Sequence, residues 1–158
     1  SFVDGRQLDD NVHVLLRFEG GAKGMLWASQ VAPGNENGLR LRIYGDKAGL
    51  SWSQENPNYL MFSPLGEPSR LLGRGGPGLT GAAERVTRIP PGHPEGYLEG
   101  FATIYREVAD AIEAKRNGKD QPDEVTFPDL EEGLQGMRFV DAVLRSHKNG
   151  GVWTSLNS

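Results

Sequence analysis

The sequence predicts an α+β fold: a mostly antiparallel open sheet of about six strands, two long helices packed on one face, and the other face open for oligomerisation. Residues of the first half alternate between apolar and polar with the two-residue period of strands, interrupted by glycine turns. Residues of the second half change to the three- and four-residue spacing of amphipathic helices. At 158 residues, the chain is long enough for one domain with a core, so we expect a single domain over residues 1–158.

Alternation and turn residues predict where the strands lie. The predicted strands cover residues 11–18, 23–31, 39–44, 50–52, 59–63 and 70–72. The cleaner apolar set, which we expect to meet the helices, is Val12, Val14, Leu16, Leu39, Leu41 and Ile43. The set expected on the open face is His13, Leu15, Arg17, Leu26, Ala28, Gln30, Arg40, Arg42 and Tyr44.

The open face mixes apolar and polar side chains, and two interpretations of it stay open. It can be a protein interface, or a wet sheet face with scattered apolar residues. As an interface, it would pair like faces of two subunits and form a homo-oligomer. The expected interface residues are Leu15, Arg17, Leu26, Arg42 and Tyr44.

Two long helices are predicted in the second half. The first begins near Tyr97 and ends at Asn117-Gly118, and its apolar stripe consists of Leu98, Phe101, Ile104, Tyr105, Val108 and Ile112. The second opens at Thr126-Phe127-Pro128 and carries acidic residues in its first turn, which suits the positive end of a helix dipole. Its expected buried residues are Leu130, Leu134, Met137, Val140 and Leu144. The glycine- and proline-rich residues 73–92 predict a loop, and residues 152–154 predict a short extended tail.

Composition excludes several functional classes. The 17 basic and 21 acidic residues are interleaved, so neither a nucleic-acid partner nor a membrane partner is expected. The sequence contains no cysteine, which excludes disulfides and thiol catalysis and is compatible with a cytoplasmic protein. His13, His93 and His147 do not have metal-ligand spacing, so no metal site is expected. The chain begins with Ser1 rather than methionine, which is compatible with a fragment of a longer protein.

The segment GHPEGYLEGF, residues 92–101, stands at the start of the first long helix. Pro94 suits the first position of a helix, and Glu95 suits its positive end. Gly92 supplies a turn. A helix start therefore explains these three residues without any function.

A helix start does not explain the rest of this segment. Histidine at position 93 is a mediocre cap, and the glycines at positions 96 and 100 each cost about 1 kcal/mol relative to alanine inside a helix. Gly96 and Gly100 share one helix face, which allows the close approach of another backbone or of a ligand. A ligand-facing role for His93 or Tyr97 is the functional hypothesis, and the helix cap is its alternative.

The ordered segments LDDNVHVLLRFEGGAKGMLWASQ, GNENGLRLRIYGDKAGLSW, GHPEGYLEGFATIYREVADAI and FPDLEEGLQGMRFVDAVLRS carry a family resemblance. Together with a terminal GGVW, this series resembles the C-terminal domain of the Gfo/Idh/MocA family of NAD(P)-dependent oxidoreductases. The resemblance implies an antiparallel sheet with helices on one face and subunit contacts on the other. It also implies a preceding Rossmann domain that binds NAD or NADP, and a small sugar or polyol as substrate.

Cofactor-binding and catalytic signatures are not found in this sequence. A dinucleotide fold needs a Gly-x-Gly-x-x-Gly turn that opens a helix, whereas the glycine cluster at residues 73–78 leads to Thr80-Gly81 and a proline pair. The family's catalytic lysine and its aspartate-histidine pair would fall upstream of Ser1. The Asp9-Asp10 pair does not replace them, because no histidine follows at helical spacing. We therefore expect no catalytic and no cofactor-binding residue in this chain, with NAD or NADP bound only by the intact protein.

Substrate-facing residues are the remaining site prediction. The family's sugar and polyol dehydrogenases use the loop that matches Asn35 to Asn37 beside their substrate, and amide groups suit hydroxyl recognition. The simpler explanation is that asparagine and glycine make a turn here. The expected substrate-binding residues are thus His93, Tyr97, Asn35 and Asn37.

Two functional readings remain. In the first, the chain is the substrate-facing and oligomerising half of a sugar or polyol dehydrogenase, inactive alone because hydride transfer needs the cofactor of the other domain. In the second, it is a stand-alone, non-catalytic interaction module on the same scaffold. The length of the reading frame upstream of Ser1 discriminates between them.

Overall fold

The structure, a computed structural model, describes residues 1–157. In chain order, its elements are β1 (Asn11–Arg17), β2 (Lys23–Ser29), β3 (Arg40–Tyr44), β4 (Ala48–Ser53), β5 (Tyr59–Pro64), β6 (Arg70–Gly73), α1 (Gly81–Val86), α2 (Tyr97–Arg116) and α3 (Leu130–Lys148). All of these strand pairings are antiparallel. The predicted α+β class with two long helices is confirmed. The short helix α1, capped by Thr80, lies where the sequence predicted only a loop.

The strands form two hydrogen-bonded sheets in the described part of the chain, where the sequence predicted a single sheet. β1 pairs with β2, and the other sheet has the order β3-β4-β5-β6. The chain divides into two compact units, residues 1–36 with 128–158 and residues 37–127. Among residues 1–157, no helix is both long and apolar enough to cross a lipid bilayer.

In the first unit, the register of the β1–β2 hairpin corrects one predicted face. Leu26 is paired with Val14, and Leu15 is paired with Met25. Directly opposed residues of an antiparallel pair share a face, so Leu26 lies on the side of Val14 and not on the side of Leu15 and Arg17. Leu26 was assigned to the wrong face because the length of the turn decides which residues are paired. The hairpin pairs even-numbered residues with even-numbered ones, and alternation within a strand does not fix that parity.

Helix α3 begins as predicted but presents a different face. Its N-cap is Asp129, whose carboxylate accepts hydrogen bonds from the backbone N–H groups of Glu131 and Glu132. Ala142 is buried. The predicted buried set is wrong, because all of its members are at least 39% exposed: Leu130, Leu134, Met137, Val140 and Leu144. After the helix, the tail is held by the Ser146 hydroxyl, which donates to the Val152 carbonyl.

In the second unit, cross-strand pairing separates an apolar face from a mixed one. One row across the sheet joins Leu41, Trp52, Leu60 and Leu72, and the corresponding row on the other face joins Arg42, Ser51, Met61 and Leu71. The predicted opposition of Leu41 and Arg42 is therefore confirmed. The prediction that Leu39, Leu41 and Ile43 meet the helices is wrong for these residues, because each is more than half exposed.

The polar face of helix α2 is covered by other segments of the chain, and its apolar stripe is largely exposed, the reverse of the usual arrangement. Five residues of the apolar stripe are exposed: Leu98, Phe101, Ile104, Tyr105 and Ile112. Glu107, on the opposite side, is buried. The polar face is covered because charged and hydrogen-bonding groups of α1 and of the segment before α3 contact it: Arg85 reaches Glu107, and so does the backbone N–H of Thr126.

Candidate functional site

The turn before α2 differs in detail from the predicted helix start. The helix begins at Tyr97 with Gly96 as its N-cap, so Pro94 lies outside the helix and not at its first position. Glu99 accepts a hydrogen bond from the Gly96 N–H at 2.8 Å. This N–H holds the pKa of Glu99 below its usual range. Glu99 therefore occupies the positive end of the helix, the place that the sequence had assigned to Glu95.

Glu95 is instead the buried centre of the turn. Its side chain is 4% exposed and forms an ion pair with Arg74, whose Nη1 lies 2.5 Å from the Glu95 Oε2. The other carboxylate oxygen, Oε1, accepts the backbone N–H of Arg88 at 2.8 Å, and the Ile89 N–H donates to Oε2 at 3.4 Å. The charge of Glu95 is thus matched by a guanidinium and by two backbone donors.

Arg74 lies directly after β6 and spreads its guanidinium over the whole turn. Its Nε donates to the Asn58 side-chain oxygen at 2.8 Å, and its Nη1 donates to the Ile89 carbonyl at 2.7 Å. Its Nη2 donates to the Pro90 carbonyl at 3.3 Å and to the His93 carbonyl at 2.6 Å. One side chain therefore supplies partners for three carbonyls of a segment that has no regular secondary structure.

The turn is also fixed to the start of β5. The Asn58 side-chain oxygen accepts the backbone N–H of Glu95 at 3.1 Å. A Cβ at position 96 would lie 2.8 Å from the Pro57 Cγ, so glycine is needed there for close packing against Pro57. At Gly100 a Cβ would meet nothing within 4 Å. The close approach that the sequence suggested for both glycines exists at Gly96 only, and the approaching group is a proline of the same chain.

His93 and Tyr97, the predicted ligand-facing residues of this segment, are both exposed. The His93 backbone is bound on both sides, by its N–H to Pro90 and by its carbonyl to Arg74. Its imidazole forms no hydrogen bond, ion pair or ring contact with the described residues. Tyr97 is 67% exposed, and its ring centroid lies 5.0 Å from that of Phe101. A rigid backbone thus carries two accessible polar side chains, an arrangement that can recognise a small polar ligand.

The predicted loop residues Asn35 and Asn37 belong to different units of the chain. Asn35 is exposed, and its amide donates to the Ala32 carbonyl at 3.4 Å, which agrees with a turn role. Asn37 is exposed too, and the next residue, Gly38, donates its N–H to Glu55 at 2.8 Å. Their role in substrate binding stays a prediction.

The predicted interface residues are also surface residues. Leu15 and Tyr44 are at least 70% exposed, and Arg42 is exposed. The Arg17 guanidinium lies 3.8 Å from the centroid of the Trp153 ring, a cation–π contact that fixes it over the tail. Their role in a subunit interface stays a prediction.

A second polar cluster was not found from the sequence. Arg85 donates to the Glu107 carboxylate at 2.6 Å, and the Thr126 N–H donates to its other oxygen at 3.0 Å. The Arg85 hydrogen bond and the Thr126 N–H hold the pKa of Glu107 below its usual range, against the effect of burial. This cluster joins three segments of the second unit and has a structural role.

A metal ion and the pyrophosphate of a dinucleotide are the two groups that a cofactor site in this chain would have to hold. Within residues 1–157, no group of three or more histidine, aspartate or glutamate side chains is arranged to hold a metal ion. In the glycine cluster, Gly75 packs so close to Pro91 that a Cβ there would lie 3.0 Å from the Pro91 Cγ. The chain itself occupies the space beside this glycine, whereas at Gly73 and Gly78 a Cβ would meet nothing within 4 Å. That the cluster binds no dinucleotide stays a prediction.

Comparison with known proteins gives the class of protein. The family described as "Oxidoreductase family, C-terminal alpha/beta domain" matches residues 1–156. The fold and this match define the C-terminal domain of an oxidoreductase. The chain belongs to the Gfo/Idh/MocA family.

Three relatives illustrate the similarity. The oxidoreductase YfiI of Bacillus subtilis (strain 168) is 39% identical over 155 residues, which are 97% of this chain and 39% of that protein. The crystal structure of an oxidoreductase from Sinorhizobium meliloti is 58% identical, with a TM-score of 0.92 over 98% of this chain and 44% of that one. An inositol dehydrogenase homolog from Azotobacter vinelandii, complexed with NADH and myo-inositol, is 36% identical, with a TM-score of 0.87 over 94% of this chain and 40% of that one. The chain spans less than half the length of each relative.

Proposed function

We propose that this chain is the substrate-facing and oligomerising domain of an NAD- or NADP-dependent sugar or polyol dehydrogenase. The observation that carries the proposal is the 36% identity, over 94% of this chain, to an inositol dehydrogenase homolog whose crystal holds NADH and myo-inositol. The rigid turn that exposes His93 and Tyr97 agrees with it, because a polyol is oriented by several neutral donors and acceptors.

In this function, the chain orients the substrate and does not perform the chemistry. The nicotinamide, when bound by a preceding Rossmann domain, accepts or supplies the hydride. His93 and Tyr97 contact substrate hydroxyls, and the amides of Asn35 and Asn37 add further donors and acceptors. Holding the reacting carbon in one place converts an encounter into an oriented reaction, which is the contribution that such residues make to rate.

The cofactor itself is expected to bind outside this chain. Among the glycines at residues 73–78, Gly75 is packed against Pro91, which agrees with a cofactor site outside this chain. NADH added to residues 1–158 alone should therefore show no saturable binding in a fluorescence titration. Saturable binding at micromolar concentration would contradict this assignment. A cytoplasmic location also stays a prediction.

We also propose that the protein is a homo-oligomer that uses the exposed mixed sheet faces. The mixed face of β1–β2 carries Leu15 and Arg17, together with Met25 and Trp27. The mixed face of the second sheet, taken by itself, carries Arg42 and Tyr44. Leu15 and Met25 are each at least 70% exposed, and exposed apolar side chains of this size are typical of interfaces. A Leu15→Glu variant should lower the mass measured by light scattering, and a wild-type protein that is monomeric at high concentration would refute the proposal.

The function is tested on the full-length protein that contains this chain. NAD- and NADP-linked oxidation of myo-inositol, sorbitol and glucose should identify a substrate, and no oxidation of any sugar or polyol would refute the dehydrogenase proposal. His93→Ala should then raise KM by roughly 5- to 150-fold, the range expected for the loss of one polar contact. His147→Ala, which changes an exposed histidine in the last turn of α3, is the control and should leave KM unchanged.

A further inference from the structure

We propose that Arg74 is a positioning residue that holds the turn of residues 89–96 in the conformation that presents His93 to the substrate. The inference rests on the proposed function, because it assigns a supporting residue to the same site. Arg74 itself is 15% exposed and lies beneath the turn, so its effect on substrate would pass through the turn.

The first argument is the number of carbonyls that Arg74 binds. The segment between α1 and α2 has no regular structure, so its carbonyl groups have no ladder or helix to satisfy them. Arg74 donates to the carbonyls of Ile89, Pro90 and His93. A single planar guanidinium thus fixes the peptide planes on both sides of the turn's tip.

The second argument is the direct bond to the candidate residue. The Arg74 Nη2 lies 2.6 Å from the carbonyl oxygen of His93, the shortest of its contacts with these carbonyls. That bond sets the orientation of the His93 backbone, and therefore the direction in which the imidazole leaves the chain. The imidazole is left exposed, which is the state that a ligand contact requires.

The third argument is that Glu95 closes the turn around the same guanidinium. Glu95 pairs with Arg74 and also binds the backbone N–H groups of Arg88 and Ile89. The two ends of the turn are therefore tied to one buried ion pair. Without Arg74, Glu95 would be a buried carboxylate that has lost its counter-charge, and the turn would open to hydrate it.

Lysine cannot replace this arginine. The five N–H donors of arginine form a planar fork, whereas the three donors of lysine radiate from one nitrogen at the end of a flexible stem. Arg74→Lys keeps the charge opposite Glu95 but cannot also reach Asn58 and the three carbonyls. It is the variant of choice if Arg74→Met fails to fold.

The first arm of the test reads the turn without substrate. Trypsin cleaves after arginine, and the bond between Arg88 and Ile89 lies inside the segment that Glu95 and Arg74 hold closed. In the folded full-length protein, Arg74→Met should speed cleavage at this bond by about tenfold or more, because the open turn becomes more populated. Cleavage at the wild-type rate would overturn the proposal, since it would show that Arg74 does not hold the turn.

The second arm reads the substrate, using whichever of myo-inositol, sorbitol and glucose the full-length enzyme oxidises best. Arg74→Met and Arg74→Lys should raise KM by roughly 5- to 100-fold with kcat changed by about twofold or less, as expected for lost binding contacts. Arg85→Met is the matched control, because it breaks the other buried carboxylate pair of the same unit, with Glu107. The same rise in KM for Arg85→Met would overturn the proposal, because general destabilisation would then explain it.

A double variant decides whether Arg74 acts through His93. If it does, Arg74→Met combined with His93→Ala should raise KM no more than the stronger single variant. If the two effects multiply, the residues act independently and the positioning role is refuted. A wild-type KM for His93→Ala would refute both the proposed contact between His93 and substrate and the proposal that Arg74 acts on substrate through His93. Faster cleavage after Arg88 in Arg74→Met would still show that Arg74 holds the turn.

Discussion

Glu95→Gln should destabilise the 37–127 unit far more than the same substitution at an exposed ion pair. The Glu95 side chain is 4% exposed and that of Arg74 is 15% exposed. Glutamine keeps the size of glutamate, but its NH2 group would face either the Arg88 N–H or the Arg74 guanidinium, and both are donors. Removing one partner of a buried pair costs about 3–5 kcal/mol. Because Arg74 retains some contact with water, we expect a loss near the lower end, about 3 kcal/mol.

The measurement is urea unfolding followed by the indole NMR signal of Trp52. Trp52 belongs to the same unit, and its indole N–H donates to the Pro57 carbonyl at 3.1 Å, next to the turn. The matched control is Glu67→Gln, which breaks the exposed pair between Glu67 and Arg70, whose side chains are both more than half exposed. Exposed pairs contribute about 0–1 kcal/mol, so the control should change the free energy of unfolding by no more than that.

Equal losses in the free energy of unfolding for Glu95→Gln and Glu67→Gln, at an unchanged denaturant slope, would refute the argument that the buried pair is the stronger one. An unchanged slope means that the same surface is exposed on unfolding, so the free energies can be compared directly. Equal losses would show that the Arg74–Glu95 pair gives no more than a surface pair. The turn would then owe its shape to other contacts, such as the packing of Pro57 against Gly96.

Two further predictions concern the same unit. The pKa of Glu107 lies below its usual value of 4.5, so its ionised form stabilises the fold above that pH and the contribution is lost as the pH falls through the lowered pKa. The Tm difference between wild type and Glu107→Gln should therefore be largest near neutral pH and should shrink as the pH falls below 4.5. A Tm difference that grows in acid would contradict the assignment. Gly96→Ala should lower Tm because its Cβ would lie 2.8 Å from Pro57, whereas Gly100→Ala, which meets nothing within 4 Å, should stabilise α2 by about 0.5–1 kcal/mol. Equal Tm shifts for the two alanine variants would refute the packing argument.

Local patterns predicted the elements of the fold well. Alternation located the strands within a few residues, and the acidic first turn after Pro128 located the start of α3. Pairing was harder to predict, because the face of Leu26 depends on the parity of the turn between β1 and β2. Alternation within one strand carries no information about its partner's register, which is why Leu26 was placed with Leu15.

The candidate site shows a similar limit. Sequence pattern drew attention to residues 92–101 but not to Arg74, which is 21 positions before Glu95 and beyond a glycine-rich segment. An arginine at the end of a short strand has no local signature that distinguishes a buried clamp from a solvated side chain. Glu95 was misread for the same reason, since a glutamate near a helix start is explained by the dipole alone.

Helix α2 shows why periodicity cannot decide which face is covered. The pattern predicts that one stripe is apolar and the other polar, and burial follows only if an apolar surface is available to receive the apolar stripe. Here the covered face is polar because its groups have directional partners: Arg88 donates to Thr103, and Arg85 donates to Glu107. Glu99, Thr103 and Glu107 recur at intervals of four, so a row of hydrogen-bonding side chains follows one side of the helix. Arg85 and Arg88, which lie 11 to 22 residues upstream of this row, were the available signal, because such a row can be covered only by groups that satisfy its charges.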